Sequence, residues 1–377
     1  MTKVFDQRSR LSWWVIGLAL VARLAVLPLP FVLSDDAYRY LWEGRVQNAG
    51  FNPYRYAPDA EELTPLRDDN WQRVAHKEVP TIYSPLVLLV FRLGAALADS
   101  PVIFKFIFAG FDLLTLGVLW RWRGSQAWVW ALSPLVIIEF AGSGHEMSLA
   151  ILFVVAGLRR LEEWKDGRVA AVCFAAAILS HLMALPFVLA AVLAARVKSW
   201  RFWTVLLAVV AVGYLPFLDA GADLGRGLTH FAGRWQFNGF LFDGLVGLLR
   251  DDMVRLVAGD VWISHERTKR VCAGLLAVLL GWVWWRRFEP ARAALTMGGA
   301  VLLLSPTVHP WYLTWLVALC AVELRWTWLV WSATVLLAYT SGWWPAWRWA
   351  EYLPVFAALT WEWSRDSIRR RWSQRNL

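Results

Sequence analysis

The chain predicts an all-α polytopic membrane protein: a bundle of about twelve transmembrane helices with interfacial helices in its first outer loop. Three observations carry this. Of its 377 residues, 58% are hydrophobic, more than a soluble core of that size could cover, and they fall in repeated apolar runs about as long as a bilayer crossing. There are 28 tryptophans, a side chain that favours membrane–water interfaces. The net charge of +9 is gathered into short connectors at alternate ends of the apolar runs.

The first span, 11–31, is too long and too poorly flanked for a cleaved signal peptide, and no small-residue cleavage site follows it. Next comes a 67-residue stretch, Ser34–Ser100, rich in aromatics and charge. Further spans are expected at 101–120, 127–141, 147–160, 168–181, 184–196, 201–218, 268–285, 291–306, 310–323, 326–340 and 350–363. The run Ile82–Ala98 holds Pro85 and Arg92, and counting it as a span would reverse every later connector. Left out, it puts Arg121/Arg123, Arg159/Arg160/Lys165/Arg168, Arg196/Lys198/Arg201, Arg286/Arg287/Arg292, Arg325 and the tail arginines 365–375 on the side of Lys3, Arg8 and Arg10. The opposite connectors 142–146, 182–183 and 307–309 carry no Lys or Arg.

The positive-inside rule then places both termini in the cytoplasm and makes 82–98 an amphipathic or re-entrant helix at the outer surface. The expected location is the bacterial inner (plasma) membrane. The basic residues act as orientation signals, so no nucleic-acid partner is called for. The whole chain, 1–377, reads as one transmembrane domain with a first outer loop at 34–100 and a second at 219–267. Its three cysteines, Cys173, Cys272 and Cys320, lie in apolar runs and argue against disulfides and against a cysteine metal site.

This topology, derived from charge, gathers the unusual polar residues on the outer side. They are Asp35/Asp36, Gly144-His145-Glu146, Ser180-His181 and Ser305-Pro306-Thr307-Val308-His309-Pro310. Titratable groups at helix ends around a common cavity are functional candidates. Tyr38, Leu41, Trp42 and Arg45 fall at helical spacing, so the two acids open an interfacial helix with Ser34 as N-cap, where the helix dipole favours a charged carboxylate. Gly50-Phe51-Asn52-Pro53-Tyr54 ends it. Each feature also has a plainer reading: two acids that only cap a helix, a polar kink at His145-Glu146, and structural roles for His181 and His309 taken singly. Arg23, inside the first span, pairs within the bundle or snorkels. No phosphate-binding glycine loop, zinc motif, nucleophile elbow or repeat is present.

Several segments resemble the GT-C glycosyltransferases, polytopic enzymes that take a sugar from a polyprenyl-phosphate donor. Tyr83-Ser84-Pro85-Leu86 through Phe104-Lys105-Phe106 and Phe111-Asp112-Leu113-Leu114 is similar to the catalytic subunit of GPI mannosyltransferase I. So is Leu132-Ser133-Pro134-Leu135 leading into Gly142-Ser143-Gly144-His145-Glu146. Asp36 to Arg45, Gly50 to Tyr54 and His309-Pro310-Trp311-Tyr312-Leu313 resemble bacterial mannosyltransferases that build lipoglycans. The resemblance covers most of residues 30–315, and its specific parts are the first loop and the His-Pro-Trp-Tyr segment. The family often shows a His-Asn-Asp-like triplet where this chain has Gly144-His145-Glu146.

The resemblance implies an inverting hexosyltransferase, a mannosyltransferase, working on the extracytoplasmic side. Its donor would be a polyprenyl-phosphate sugar and its acceptor a hydroxyl on a glycan, lipid or protein. Asp35, the first acid after span one, takes the place of the family's catalytic base, and Asp36 would orient the acceptor or help hold a metal. The expected substrate-binding residues are Tyr38, Arg39, Tyr83, Lys105, His145, Glu146, His181, Arg234, Asn238, His309, Trp311 and Tyr312. Of these, Arg234, His309 and Lys105 are candidates to neutralise the departing lipid phosphate. Mg²⁺ or Mn²⁺ could share that task, although no residues here have firm metal-ligand spacing. The alternatives are a secondary transporter, or a polyprenyl-phosphate binder or flippase without catalysis.

Overall fold

The computed structural model describes residues 3–163, 167–251, 253–257 and 260–375. Their regular structure is helical, apart from one antiparallel hairpin that pairs Met253–Val257 with Asp260–Ser264. Every expected span overlaps helix, although several end early or are broken. Many of these helices are short. Among the described residues, Val102–Ala131 and Trp200–Arg234 are long and apolar enough to cross a bilayer by length and composition, and the remaining apolar helices run 10–17 residues.

The shortening has local causes. Pro28 and Pro30 follow the first helix, which ends at Val26 rather than 31. Pro134 splits the expected 127–141 span into Trp128–Ala131, Pro134–Val136 and a π-helical turn, Ile137–Gly142. The helix Trp200–Tyr214 gives way at Pro216 to a 3₁₀ stretch, Leu215–Gly225. The second outer segment, 219–267, is not an open loop: it holds helices Arg226–Arg234 and Phe240–Leu249 as well as the hairpin.

Arg23 pairs within the bundle rather than snorkelling. Its guanidinium grips Asp112 at 2.5 and 3.0 Å and donates to the carbonyls of Ala19 and Ala131. Both charges are buried, so removing either partner would leave the other uncompensated, at a cost of about 3–5 kcal/mol. One contact thereby ties the first helix to Val102–Arg123 and to the broken segment.

The interfacial helix runs Asp36–Asn48. It starts one residue later than the sequence suggests: Asp35 occupies the N-cap position, and Ser34 Oγ accepts from the Asp36 N–H at 3.2 Å. The helix lies across Pro85–Leu97, which at 13 residues is about 20 Å long, too short to cross a bilayer. Gly44 makes this crossing possible, because a Cβ there would sit 2.2 Å from the Phe91 carbonyl oxygen. Gln47 completes the seam by donating to the Leu88 carbonyl at 2.8 Å.

Gly44→Ala should therefore push the Asp36–Asn48 helix off its neighbour and lower stability by about 1–3 kcal/mol. Thermal unfolding in detergent is the measurement, and an unchanged midpoint would show that the two helices are not in backbone contact.

Candidate active site

Asp36 opens its helix with the carboxylate one-third exposed, and Oδ2 lies 3.5 Å from His145 Nε2. His145 arrives by an unusual backbone path. The π-helical turn closes with Ser143 N–H donating to the Ile138 carbonyl, and His145 N–H then donates to the Glu139 carbonyl at 3.0 Å. Gly144 bends the chain at φ +74°, where a Cβ would crowd the Lys105 backbone. This wide turn sets Glu139 beside His145, with Oε2 3.0 Å from Nδ1. The other Glu139 oxygen accepts from Tyr339 Oη at 2.9 Å.

The imidazole of His145 is thus bracketed by two carboxylates. These are close charge contacts rather than well-aligned hydrogen bonds. The ring lies flat on Trp311 at 4.1 Å, His309 stacks on the same indole at 4.3 Å, and Phe237 covers His309 at 4.8 Å.

The charge states follow. Burial works against a charge on His145, but Asp36 and Glu139 outweigh it and hold its pKa up at about 10. Burial likewise opposes ionisation of Asp36, but His145 outweighs it and keeps that carboxyl below its ordinary value. Burial pushes Glu146 up to about 8, with Asp36 adding to the rise and His145 opposing it. His309 is driven down to about 4 by burial. At neutral pH the site therefore holds an Asp36 carboxylate, a His145 imidazolium, a protonated Glu146 and a neutral His309. His181 Nε2 faces Glu146 at 3.7 Å, while its Nδ1 accepts from the Met183 N–H.

Asp36, Tyr83, Glu146, His181, His309, Trp311 and Tyr312 line one cavity of about 250 Å³. Its far wall is the strip Ala75–Ser84 with Phe231 and Trp235. Arg39 braces this wall: it pairs with Glu43 at 2.6 Å and donates to the carbonyls of Ala75, His76 and Val79. Tyr54 Oη donates to the Tyr83 carbonyl from behind.

Other residues expected at the site lie away from the cavity. Asp35 is half-exposed and ion-paired with Arg73 at 2.5 Å, and Tyr38 is occupied by the same arginine, which lies over its ring. Lys105 Nζ donates to the Leu29 carbonyl and sits above Phe31, anchoring the segment that follows the first helix. Arg234 lies against His230 at 2.9 Å. Asn238, at φ +57°, donates to both oxygens of the buried Glu351 at 3.0 Å.

Glu139 and Tyr339 escaped the sequence reading. An acid inside an apolar run was the available signal for Glu139, and nothing marked Tyr339. The acids do not form a metal chelate, because Asp35 turns to Arg73 and Asp36 to His145. Among the described residues no group of three or more His, Cys, Asp or Glu is arranged to hold a metal ion.

A family model described as the alpha-(1->6)-mannopyranosyltransferase N-terminal domain matches residues 3–197, a stretch that includes Asp36, Tyr83, Glu139, His145, Glu146 and His181. Alpha-(1->6)-mannopyranosyltransferase A of Mycobacterium tuberculosis is 27% identical over 352 residues, covering 84% of this chain and 65% of its own. A probable alpha-(1->6)-mannopyranosyltransferase of Mycolicibacterium smegmatis is 24% identical over 355 residues, covering 77% and 61%. The chain thus spans less than two thirds of the length of either relative. No solved structure matches it significantly.

Glu146 ionises near pH 8 in the folded chain, against an ordinary value of 4.5, so between these values the native state binds the extra proton. Stability is then expected to fall as pH rises through that window. Glu146→Gln should flatten the slope of melting temperature against pH between 4.5 and 8. An unaltered slope would mean that this carboxyl is solvated.

Proposed function

Because the chain belongs to the alpha-(1->6)-mannopyranosyltransferase family, we propose that it is a GT-C membrane enzyme that transfers mannose from a polyprenyl-phosphate donor to a hydroxyl acceptor. The observation that carries the proposal is Asp36: an ionised carboxylate held against the His145 imidazolium, with its open side on an aromatic-walled cavity. The base moves from Asp35, which the resemblance favoured, to Asp36, because only Asp36 faces that cavity.

The acceptor oxygen attacks the anomeric carbon as Asp36 takes its proton. The bond to the donor phosphate breaks, and polyprenyl phosphate leaves with the electron pair. A single displacement inverts the anomeric centre, so an α product requires a β-linked donor. The names of the relatives point to a primary 6-hydroxyl as the acceptor. Glu146 is protonated at neutral pH and can donate to a phosphate or sugar oxygen. Trp311, Tyr83 and Tyr312 offer ring faces to the pyranose. His145 is enclosed by two carboxylates, which suits it to orienting Asp36 rather than to meeting substrate. Lys105 and Arg234 are set aside as phosphate ligands, since neither lines the cavity.

The reading extends to topology: about twelve crossings, cytoplasmic termini and a cavity opening outward in the inner membrane. Its support is the grouping of basic connectors on the N-terminal side and of Asp36, His145, His181 and His309 on the other.

Asp36→Asn should lower release of polyprenyl phosphate from polyprenyl-phosphate-mannose in nanodiscs by about 10²–10⁴-fold while donor binding persists. Asp35→Asn should stay within about threefold of wild type, since loss of an exposed ion pair costs less than about 1 kcal/mol. The reverse pattern would return the role of base to Asp35.

A further inference from the structure

The helix that leads to the Ser305–His309 turn starts, at its other end, beside a cavity rich in arginine. Met147–Glu163 begins beside Glu146, and Pro290–Leu303 ends just before that turn. Fourteen residues carry Pro290–Leu303 about 20 Å, which sets its two ends about two-thirds of a hydrocarbon core apart. At its start lies an open cavity of about 510 Å³, lined by Arg286, Arg287, Phe288, Glu289, Arg292, Arg325 and Asp366.

Arg325 is neutralised there, by Asp366 at 2.9 Å and Glu323 at 3.5 Å. Arg286 and Arg287 form no ion pair among the described residues, although Glu289 lines the same cavity, and Arg286 lies 5.9 Å from the centre of the Trp285 ring.

The backbone here adds a second, independent observation. The helix Glu266–Trp285 closes with Phe288 N–H donating to the Val283 carbonyl and Arg287 N–H to the Trp284 carbonyl. That pair of hydrogen bonds places Arg287 at the left-handed position, φ +53°, where glycine is the usual residue because a Cβ is disfavoured. The neighbouring helix Ala184–Ala194 ends identically. Val197 N–H donates to Val192, Arg196 N–H to Leu193, and Arg196 stands at φ +52°. The Arg196 guanidinium lies 5.2 Å over the Trp284 ring. A cation near a helix C-terminus is favoured by the dipole, but a preceding helical position would serve as well without the backbone penalty. Trp285, Trp326 and Trp363 project outward on the helices that flank the cavity, as indoles do at headgroup depth.

We propose that this cavity binds the phosphate headgroup of an anionic phospholipid on the face opposite the sugar site. Guanidinium forks match phosphate oxygens in pairs, and the flanking tryptophans favour a ligand presented by the bilayer over one free in solution. The proposal rests on the membrane reading above and is independent of the transfer chemistry.

Native mass spectrometry of the full chain in detergent tests it, using phosphatidylglycerol, phosphatidylcholine and inorganic phosphate as probes. Wild type should retain phosphatidylglycerol over phosphatidylcholine, and inorganic phosphate should not displace it. Arg286→Gln with Arg287→Gly should weaken phosphatidylglycerol retention by roughly fivefold per arginine removed. Arg287→Gly alone, measured without lipid, should melt no lower than wild type, because glycine suits the left-handed position. Equal retention of the two lipids by wild type would overturn the proposal. So would displacement by inorganic phosphate, or undiminished retention by a double variant that still folds. Mannosyl transfer can fail in its own assay without touching this result, and the reverse also holds.

Discussion

The site depends on one buried cation. His145 is almost fully enclosed, and its charge exists only because Asp36 and Glu139 stand on either side. Each member of this row needs the others. Without the imidazolium, Glu139 would be an acid buried among apolar side chains with a lone tyrosine donor, and Asp36 would carry its charge into the cavity wall uncompensated. Without the two acids, burial would leave His145 neutral. The backbone conforms to this need. The π-helical turn, the bend at Gly144 and the stacking of His145 on Trp311 all place one ring between two oxygens contributed by segments more than 100 residues apart.

A second layer of contacts turns the row into a cavity. Arg39 stands one turn along the helix from Asp36 and holds three carbonyls of the Ala75–Val79 strip, so the residue that frames the wall rides on the element that supplies the carboxylate. The Gly44 crossing fixes this helix against Pro85–Leu97, and the Arg23–Asp112 pair fixes the first helix against the segment that carries Glu139. Position therefore passes to Asp36 from backbone contacts at one end and from a buried ion pair at the other.

Hydropathy made the helices legible, and charge asymmetry made legible which helix ends carry the unusual polar groups. It did not reveal where proline would cut a run short, because Pro134 and Pro216 act on backbone geometry while leaving the apolar count unchanged. Within the site, Asp36, His145, Glu146, His181, His309 and Trp311 could be named because they interrupt apolar sequence at helix ends. Asp35 and Asp36 could not be told apart by type. One step at a helix start turns a side chain by about 100°, enough to send Asp35 to Arg73 and Asp36 to His145. Lys105, Arg234 and Asn238 looked functional for the same compositional reason, yet their roles were set by distant or unremarked partners: the Leu29 carbonyl, His230, and Glu351 across the chain.

The cavity holds two acids that its surroundings drive in opposite directions. Asp36 is kept ionised by the adjacent imidazolium, whereas Glu146, more deeply buried, keeps its proton to about pH 8. Glycosyl transfer between oxygens needs such a division: one group to receive a proton from the attacking hydroxyl, and another to hydrogen-bond an oxygen that gains negative charge. The same division limits the working range. Above pH 8, Glu146 would join Asp36 as an anion, and the two charges would repel the phosphate ester of the proposed donor. The burial that suppresses Glu146 ionisation therefore also limits the negative charge that the proposed phosphate donor would meet, and the neutral His309 in the same cavity adds no charge of either sign.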